Sequence, residues 1–116
     1  MNMKDKVFEG KADVKVSVIV LTHNNLPLTI ECIDSILATR PSGMELDLII
    51  HDNGSTDGTK EWLNHLGFNK KQEDVTIKTL LSPTNMGFGA GMNQAYRAAE
   101  GDIIVFLNND TVVTPD

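Results

Sequence analysis

Val16-Ser17-Val18-Ile19-Val20-Leu21, followed at once by Thr22-His23-Asn24-Asn25, is the stretch that decides the fold. A short β-branched run with one hydroxyl among apolar neighbours is what a strand buried on both faces requires, and the polar residues after it stop it. The period then changes. Leu28, Cys32 and Ile36 recur at every fourth position with Ile33 and Leu37 beside them, which predicts an amphipathic helix from Pro27 to about Thr39. Pro27 falls in its first turn, where a missing N–H is tolerated. Pro41-Ser42-Gly43 closes the helix.

The same alternation continues along the chain. Leu46 to Ile50 reads as a strand, and Thr56 or Asp57 can cap a helix that runs to about Leu66, with Trp62, Leu63 and Leu66 inward and Gly67 at its stop. Val75 to Leu81 is a third strand, ended by Ser82-Pro83. Met92, Ala95, Tyr96 and Ala99 give a helical face between Gly89 and about Glu100; Gly101 ends that helix, and Ile103 to Leu107 is a fourth strand. The resulting order, βαβαβαβ, predicts an α/β domain with a mostly parallel sheet, right-handed crossovers and helices on both faces. Residues 1–15 read as an N-terminal arm and residues 16–116 as a single domain.

Composition narrows the function. Ten Lys and Arg stand against sixteen Asp and Glu, a formal net charge of −6 over 116 residues, so a nucleic acid or an acidic membrane has no bulk attraction to this chain. A bound polyanion remains possible through backbone donors or a divalent cation. The single cysteine, Cys32, repeats with Leu28 and Ile36 and reads as core. Without an internal disulfide or a Cys/His cluster of zinc spacing, a reducing, cytoplasmic compartment is expected. The N-terminal residues lack the apolar core of a signal peptide, and no apolar run approaches a membrane span.

Ligands of parallel sheets bind at the carboxyl ends of the strands. Each of those ends carries a polar, turn-rich cluster: Thr22-His23-Asn24-Asn25, Asp52-Asn53-Gly54-Ser55-Thr56-Asp57-Gly58, Thr84-Asn85-Met86-Gly87-Phe88-Gly89 and Asn108-Asn109-Asp110. In the second, a carboxylate at a strand tip can accept from a base-edge N–H or a ribose hydroxyl, and Gly54 permits a tight turn; Asp-Asn-Gly is equally ordinary turn chemistry. In the fourth, Asp110 offers one hard oxygen to Mg²⁺ or Mn²⁺, which suffices when phosphate oxygens complete the shell, although a solvated turn has the same composition. In the third, Gly87, Gly89 and Gly91 let backbone approach a ligand at a helix mouth. The spacing is neither G-x-G-x-x-G nor a P-loop, and a plain glycine turn is the alternative. His23, His51 and His65 each stand alone, and no Ser/His/Asp set or H-E-x-x-H metal site can be assembled.

Together these four clusters, in this order and at these strand tips, resemble the family 2 glycosyltransferases of GT-A fold, over nearly the whole chain from Val16 to Asp116. The resemblance implies inverting transfer of a sugar from a nucleotide diphosphate sugar, UDP- or dTDP-linked, to an acceptor hydroxyl on a glycan or a lipid-linked carrier, with Mg²⁺ or Mn²⁺. It implies that Thr22, His23 and Asn24 lie along the nucleoside, that Asp52 binds the base, and that Gly54, Ser55, Asn85, Gly87 and Asn93 complete the donor site. Asn108-Asn109-Asp110 takes the D-x-D position, with Asp110 on the metal and Asn108 or Asn109 near the ribose. It also implies a role in polysaccharide assembly, on the cytoplasmic side, with the full-length protein peripheral to the inner face of the membrane.

Two residues depart from the family pattern. His23 stands where members often carry an aromatic, and Met92 where many carry an arginine before the asparagine; the run Asn85-Met86-Gly87-Phe88-Gly89-Ala90-Gly91-Met92-Asn93 resembles instead the rhamnosyltransferase-like branch. The family's general base follows the D-x-D strand, and only Thr111 to Asp116 follow here. The expectation is therefore a donor-binding portion of a truncated domain, without its base, that self-associates through surface left uncovered. A non-catalytic nucleotide-binding or interaction module on the same fold is the alternative.

Overall fold

A computed structural model describes residues 14–41, 43–66, 70–72 and 74–114. The first strand, β1, spans Val14–Thr22, and is followed by α1 (Leu26–Thr39), β2 (Met44–Asn53), α2 (Thr59–Leu66), β3 (Lys70–Gln72), β4 (Val75–Ser82), α3 (Phe88–Ala98) and β5 (Ile103–Asn108). The strands form one sheet in the order β3-β4-β2-β1-β5. All neighbours are parallel except β3, which runs antiparallel to β4. The expected alternation is observed, with two differences. β1 starts at Val14, inside the expected arm, most of which lies outside the described residues, as does the Gly67 stop. β3 is additional: Lys70-Lys71-Gln72 has no apolar alternation to reveal it, and its register opposite Val75 to Ile77 rests on backbone pairing.

Register sorts the side chains onto two faces. Val18 lies between Leu48 and Val105, and Val20 between Ile50 and Leu107. On this face they pack with Leu46 and Ile77 against Cys32, Ile33 and Ile36 of α1 and Leu63 of α2. Ile19 and Ile49 point the other way, onto Ala95, Met92 and Ala98 of α3. Each fully buried Ile or Leu contributes about 1.5–3 kcal/mol relative to exposure.

Two helix residues expected inward are exposed. Leu28 is displaced by Thr29, whose hydroxyl pairs with that of Thr22 at 2.8 Å, so α1 turns the row Thr29, Cys32, Ile33, Ile36 to the sheet. Tyr96 is exposed because α3 approaches through its small residues Gly91 and Ala95, and a bulky neighbour of that row can only project sideways.

The one hydroxyl in the β1 run has a buried partner. Asp47 Oδ2 accepts from Ser17 Oγ at 2.7 Å and from the Glu100 N–H at 2.9 Å, while the Gly101 N–H donates to Ser17 Oγ at 2.8 Å. Lys78 Nζ lies 3.2 Å from Asp47 Oδ1 and donates to the Ala98 carbonyl at 2.8 Å. Burial pulls the Lys78 pKa down, but hydrogen bonds to Glu100 and Asp47 and their charges outweigh it and hold it raised. This network fixes the carboxyl end of α3 at the amino edge of the sheet, so that the helix's other end is aimed at the strand tips.

The crossovers through α1 and α2 cover one face and step outward from β1, whereas α3 covers the other face and returns the chain to β5, on β1's far side. Strand order therefore reverses between β1 and β5. A crevice opens at the carboxyl ends of such strands.

Candidate functional site

Three loops meet above that crevice. After β1, Asn24 and Asn25 both adopt the left-handed conformation, φ 59°, which asparagine tolerates better than other non-glycine residues. The Asn24 N–H donates to Ser55 Oγ at 2.7 Å, Asn24 Oδ1 accepts from the Thr56 N–H at 2.8 Å, and the Leu26 N–H donates to Asp57 Oδ2 at 3.1 Å. Asp57 Oδ1 also takes the N–H and hydroxyl of Thr59, so one carboxylate serves the starts of α1 and α2. The Thr59 hydroxyl is the main cause that holds the Asp57 pKa low.

The second loop closes on itself through Asp52, which is fully buried. Its Oδ2 accepts from the Ser55 N–H at 3.0 Å, and its Oδ1 from the Ser55 hydroxyl. The third loop is held by Asn53: Oδ1 accepts from the Met86 N–H at 2.8 Å and Nδ2 donates to the Gly87 carbonyl at 3.2 Å. Asn85 Oδ1 adds a bond from the Gly87 N–H at 2.8 Å.

Between the loops lies a cleft of about 280 Å³. Of the residues expected at the site, Thr22, His23, Asn85, Asn108 and Asn109 line it, joined by Leu21, Asn53 and Phe88, which the sequence reading did not single out. His23 Nδ1–H donates to the Asn53 carbonyl at 2.8 Å, which fixes the ring against the end of β2. Asn109 Nδ2 reaches Thr29 Oγ1 at 3.2 Å, and Thr22 Oγ1 and the Asn24 carbonyl at 3.4 Å, so it braces β5 against the first loop.

Asn24, Asp52, Gly54, Ser55, Gly87, Asn93 and Asp110 are not among the lining residues. Asn24, Asp52 and Ser55 are hydrogen-bonded within the loops. Gly87, φ 87°, is the N-cap of α3, and Asn93 is exposed on that helix. Asp110 is exposed in the turn after β5, where the Thr111 N–H bonds back to the Asn108 carbonyl at 3.1 Å.

A divalent cation can be tested against the donor set. Among the described residues no three His, Cys, Asp or Glu side chains are grouped to hold a metal. A lone exposed carboxylate such as Asp110 fits Mg²⁺ or Mn²⁺ only when the ligand supplies further oxygens, as a diphosphate does. The lining itself carries amides, one imidazole and one aromatic, and no lysine or arginine. Cys32 is buried, and burial raises its thiol pKa, with a nearby Asp110 charge acting in the same direction and a Thr111 backbone bond opposing them. No described helix is long and apolar enough to cross a membrane.

Residues 17–116 match the family model described as glycosyl transferase family 2. A poly(ribitol-phosphate) beta-glucosyltransferase of Bacillus spizizenii is 30% identical over 102 residues, covering 86% of this chain and 15% of that protein. An uncharacterized glycosyltransferase of Nostoc sp. is 31% identical over 102 residues, covering 88% of this chain and 30% of that one. Among solved structures, S. aureus TarS 1-349 in complex with UDP superposes with TM-score 0.71 at 26% identity, over 88% of this chain and 29% of that chain. A mannosyltransferase of Pyrobaculum calidifontis, in complex with GDP-Man and Mn²⁺, gives TM-score 0.72 at 26% identity, over 93% and 33%. The chain thus spans a third or less of the length of these relatives.

Proposed function

The chain belongs to glycosyl transferase family 2, and on that premise we propose that its cleft binds the nucleoside diphosphate of a UDP- or dTDP-linked sugar for inverting transfer to an acceptor hydroxyl on a glycan or lipid-linked carrier. The observation that carries this reading is the position of the cleft. It opens at the switch between β1 and β5, it is lined by amide, hydroxyl and imidazole groups suited to a base and ribose, and Asp110 follows the lining residues Asn108 and Asn109 in the turn after β5.

In this reading His23 and the amides of Asn85 and Asn108 orient the nucleoside, and Asn109 and Thr22 keep the β5 turn in register with the first loop. Asp110 would hold Mg²⁺ or Mn²⁺, which supplies charge neutralisation for the departing diphosphate, the largest electrostatic demand of the reaction. Asp52, Ser55 and Asn24 act one step back, by fixing the loops that present the lining. Gly54, Gly87 and the exposed Asn93 belong to the loop and helix mouth nearest the donor. The glycine-rich run from Asn85 to Asn93 supports a rhamnosyl or related hexosyl donor. The chain's part in this reading is donor binding. Cytoplasmic polysaccharide assembly is the setting that fits.

Calorimetric titration of UDP and dTDP, with and without Mn²⁺, tests the reading. Metal-enhanced binding that is lost in Asp110→Ala supports it. Absence of binding by the unaltered chain with either nucleotide would sink it, and metal-independent binding would leave the non-catalytic module as the better account.

A further inference from the structure

We infer that Phe88 is the platform on which the nucleobase of the donor stacks, an inference that rests on the donor-binding reading above. Phe88 is 61% exposed, more than any other large apolar side chain among the described residues, yet it lines the cleft. Its place on α3 explains both facts. Phe88, Gly91 and Ala95 fall at i, i+3 and i+7, on one stripe of the helix. Gly91 and Ala95 are buried against the sheet, and a Cβ on Gly91 would come within 2.9 Å of Leu21 Cδ1 and 3.3 Å of the His51 ring. One turn earlier the same stripe has passed the strand ends, so the residue there projects into the crevice with no core to cover it.

A flat apolar ring held in that position suits a flat aromatic ligand part. The segment leading into it is anchored by the Asn53 amide on both Met86 and Gly87, so little ordering remains to be done on binding. The charged part of a donor has no lysine or arginine to meet among the lining residues. Asn85 and His23 line the same cleft as Phe88, so a base stacked on the phenyl ring has amide and imidazole groups to meet at its edge. Stacking of this kind is sequence-tolerant, and truncating the aromatic costs on the order of tenfold in affinity.

The test compares the unaltered chain with Phe88→Ala and Phe88→Trp by titration with UDP and with UDP-sugar, and with inorganic pyrophosphate plus Mn²⁺, which has no base. Phe88→Ala is expected to weaken UDP about tenfold, to treat pyrophosphate as the unaltered chain does, and to melt at the same temperature. Phe88→Trp should bind UDP at least as well and show quenching of the new indole. Unchanged UDP affinity in Phe88→Ala overturns the inference, as does equal weakening of pyrophosphate, or a loss confined to UDP-sugar, which would put the sugar on the ring. Failure of the unaltered chain to bind UDP at all would refute the donor reading and this inference with it.

Discussion

Gly54→Ala should be among the most damaging small substitutions in the chain, for a reason that involves both site loops. Gly54 has φ +78°, where a side chain costs about 1–2 kcal/mol by backbone strain alone. A Cβ there would also fall 2.5 Å from the backbone nitrogen of Asn85 and 2.5 Å from the carbonyl carbon of Thr84, closer than real contacts allow, and neither is the end of a flexible side chain. Relieving that overlap adds about 1–3 kcal/mol. The sum, about 2–5 kcal/mol, corresponds to a fall in Tm of roughly 8–20 °C for a domain of this size. The loop must move as well, so UDP binding should weaken beyond what lost stability explains. Gly58→Ala is the control: φ is +105°, but the nearest atom, Leu26 Cδ2, lies at an ordinary 3.8 Å, so strain alone predicts about 1–2 kcal/mol. Thermal melts and urea titrations of the two variants read the difference. Equal losses would refute the reasoning, because the excess belongs to the contact between the β2 and β4 loops.

Asp110→Asn should abolish the Mn²⁺-dependent part of nucleotide affinity while leaving the melting temperature nearly unchanged, since the residue is exposed; a large drop in stability would show a structural role instead. Asp57 is held below its ordinary pKa, first by the Thr59 hydroxyl, so the unfolded chain binds the extra proton, and the stabilisation present above about pH 4 is lost as pH falls through the folded value. Asp57→Asn should flatten the acid limb of the stability profile, and an unchanged limb would contradict this. Asp47→Ala should cost about 3 kcal/mol, because Lys78, Ser17 and the Glu100 N–H lose a buried partner together; denaturant titration measures it, and a loss under 1 kcal/mol would refute the network's role. The open side of β5, with Ile103 and Phe106 about half exposed and no charge from Ile103 to Asn108, should drive self-association. Sedimentation should show mass rising with concentration and Val105→Lys suppressing it, and a clean monomer at high concentration would count against it.

The fold was legible because its determinants are local. β-branched runs, four-residue repeats and polar stops are each contained within a dozen residues, and they marked β1, β2, β4, β5 and all three helices. What escaped depends on distant partners. β3 exists through pairing with β4, and Leu28 and Tyr96 turn outward because Thr29 has a hydroxyl partner on β1 and because α3 packs through Gly91 and Ala95.

The site shows the same division at single-residue scale. Successive residues of a strand face opposite sides, so parity sorts the strand-tip residues between the two faces of the sheet. Leu21, His23, Asn53 and Asn108 all share the parity of Ile19, Ile49 and Phe106, the side covered by α3, and all line the cleft. Asp52 and Thr22 have the opposite parity; Asp52 accepts from Ser55, and Thr22 bonds to α1 while still reaching the cleft at its rim. Both side chains are hydrogen-bonded within the loops, Asp52 to Ser55 and Asn53 to Met86 and Gly87, and of the two Asn53 is the one that lines the cleft. Counting parity from the apolar residues of β2 separates Asp52 from Asn53 without any structure. Choosing between the two sides does not follow from counting, because it requires knowing that the third crossover returns over the opposite face to place β5 beside β1. The ligand face is therefore a property of strand order, and Asn53 could be recognised only once the long-range pairing of β1 with β5 had fixed where the crevice lies.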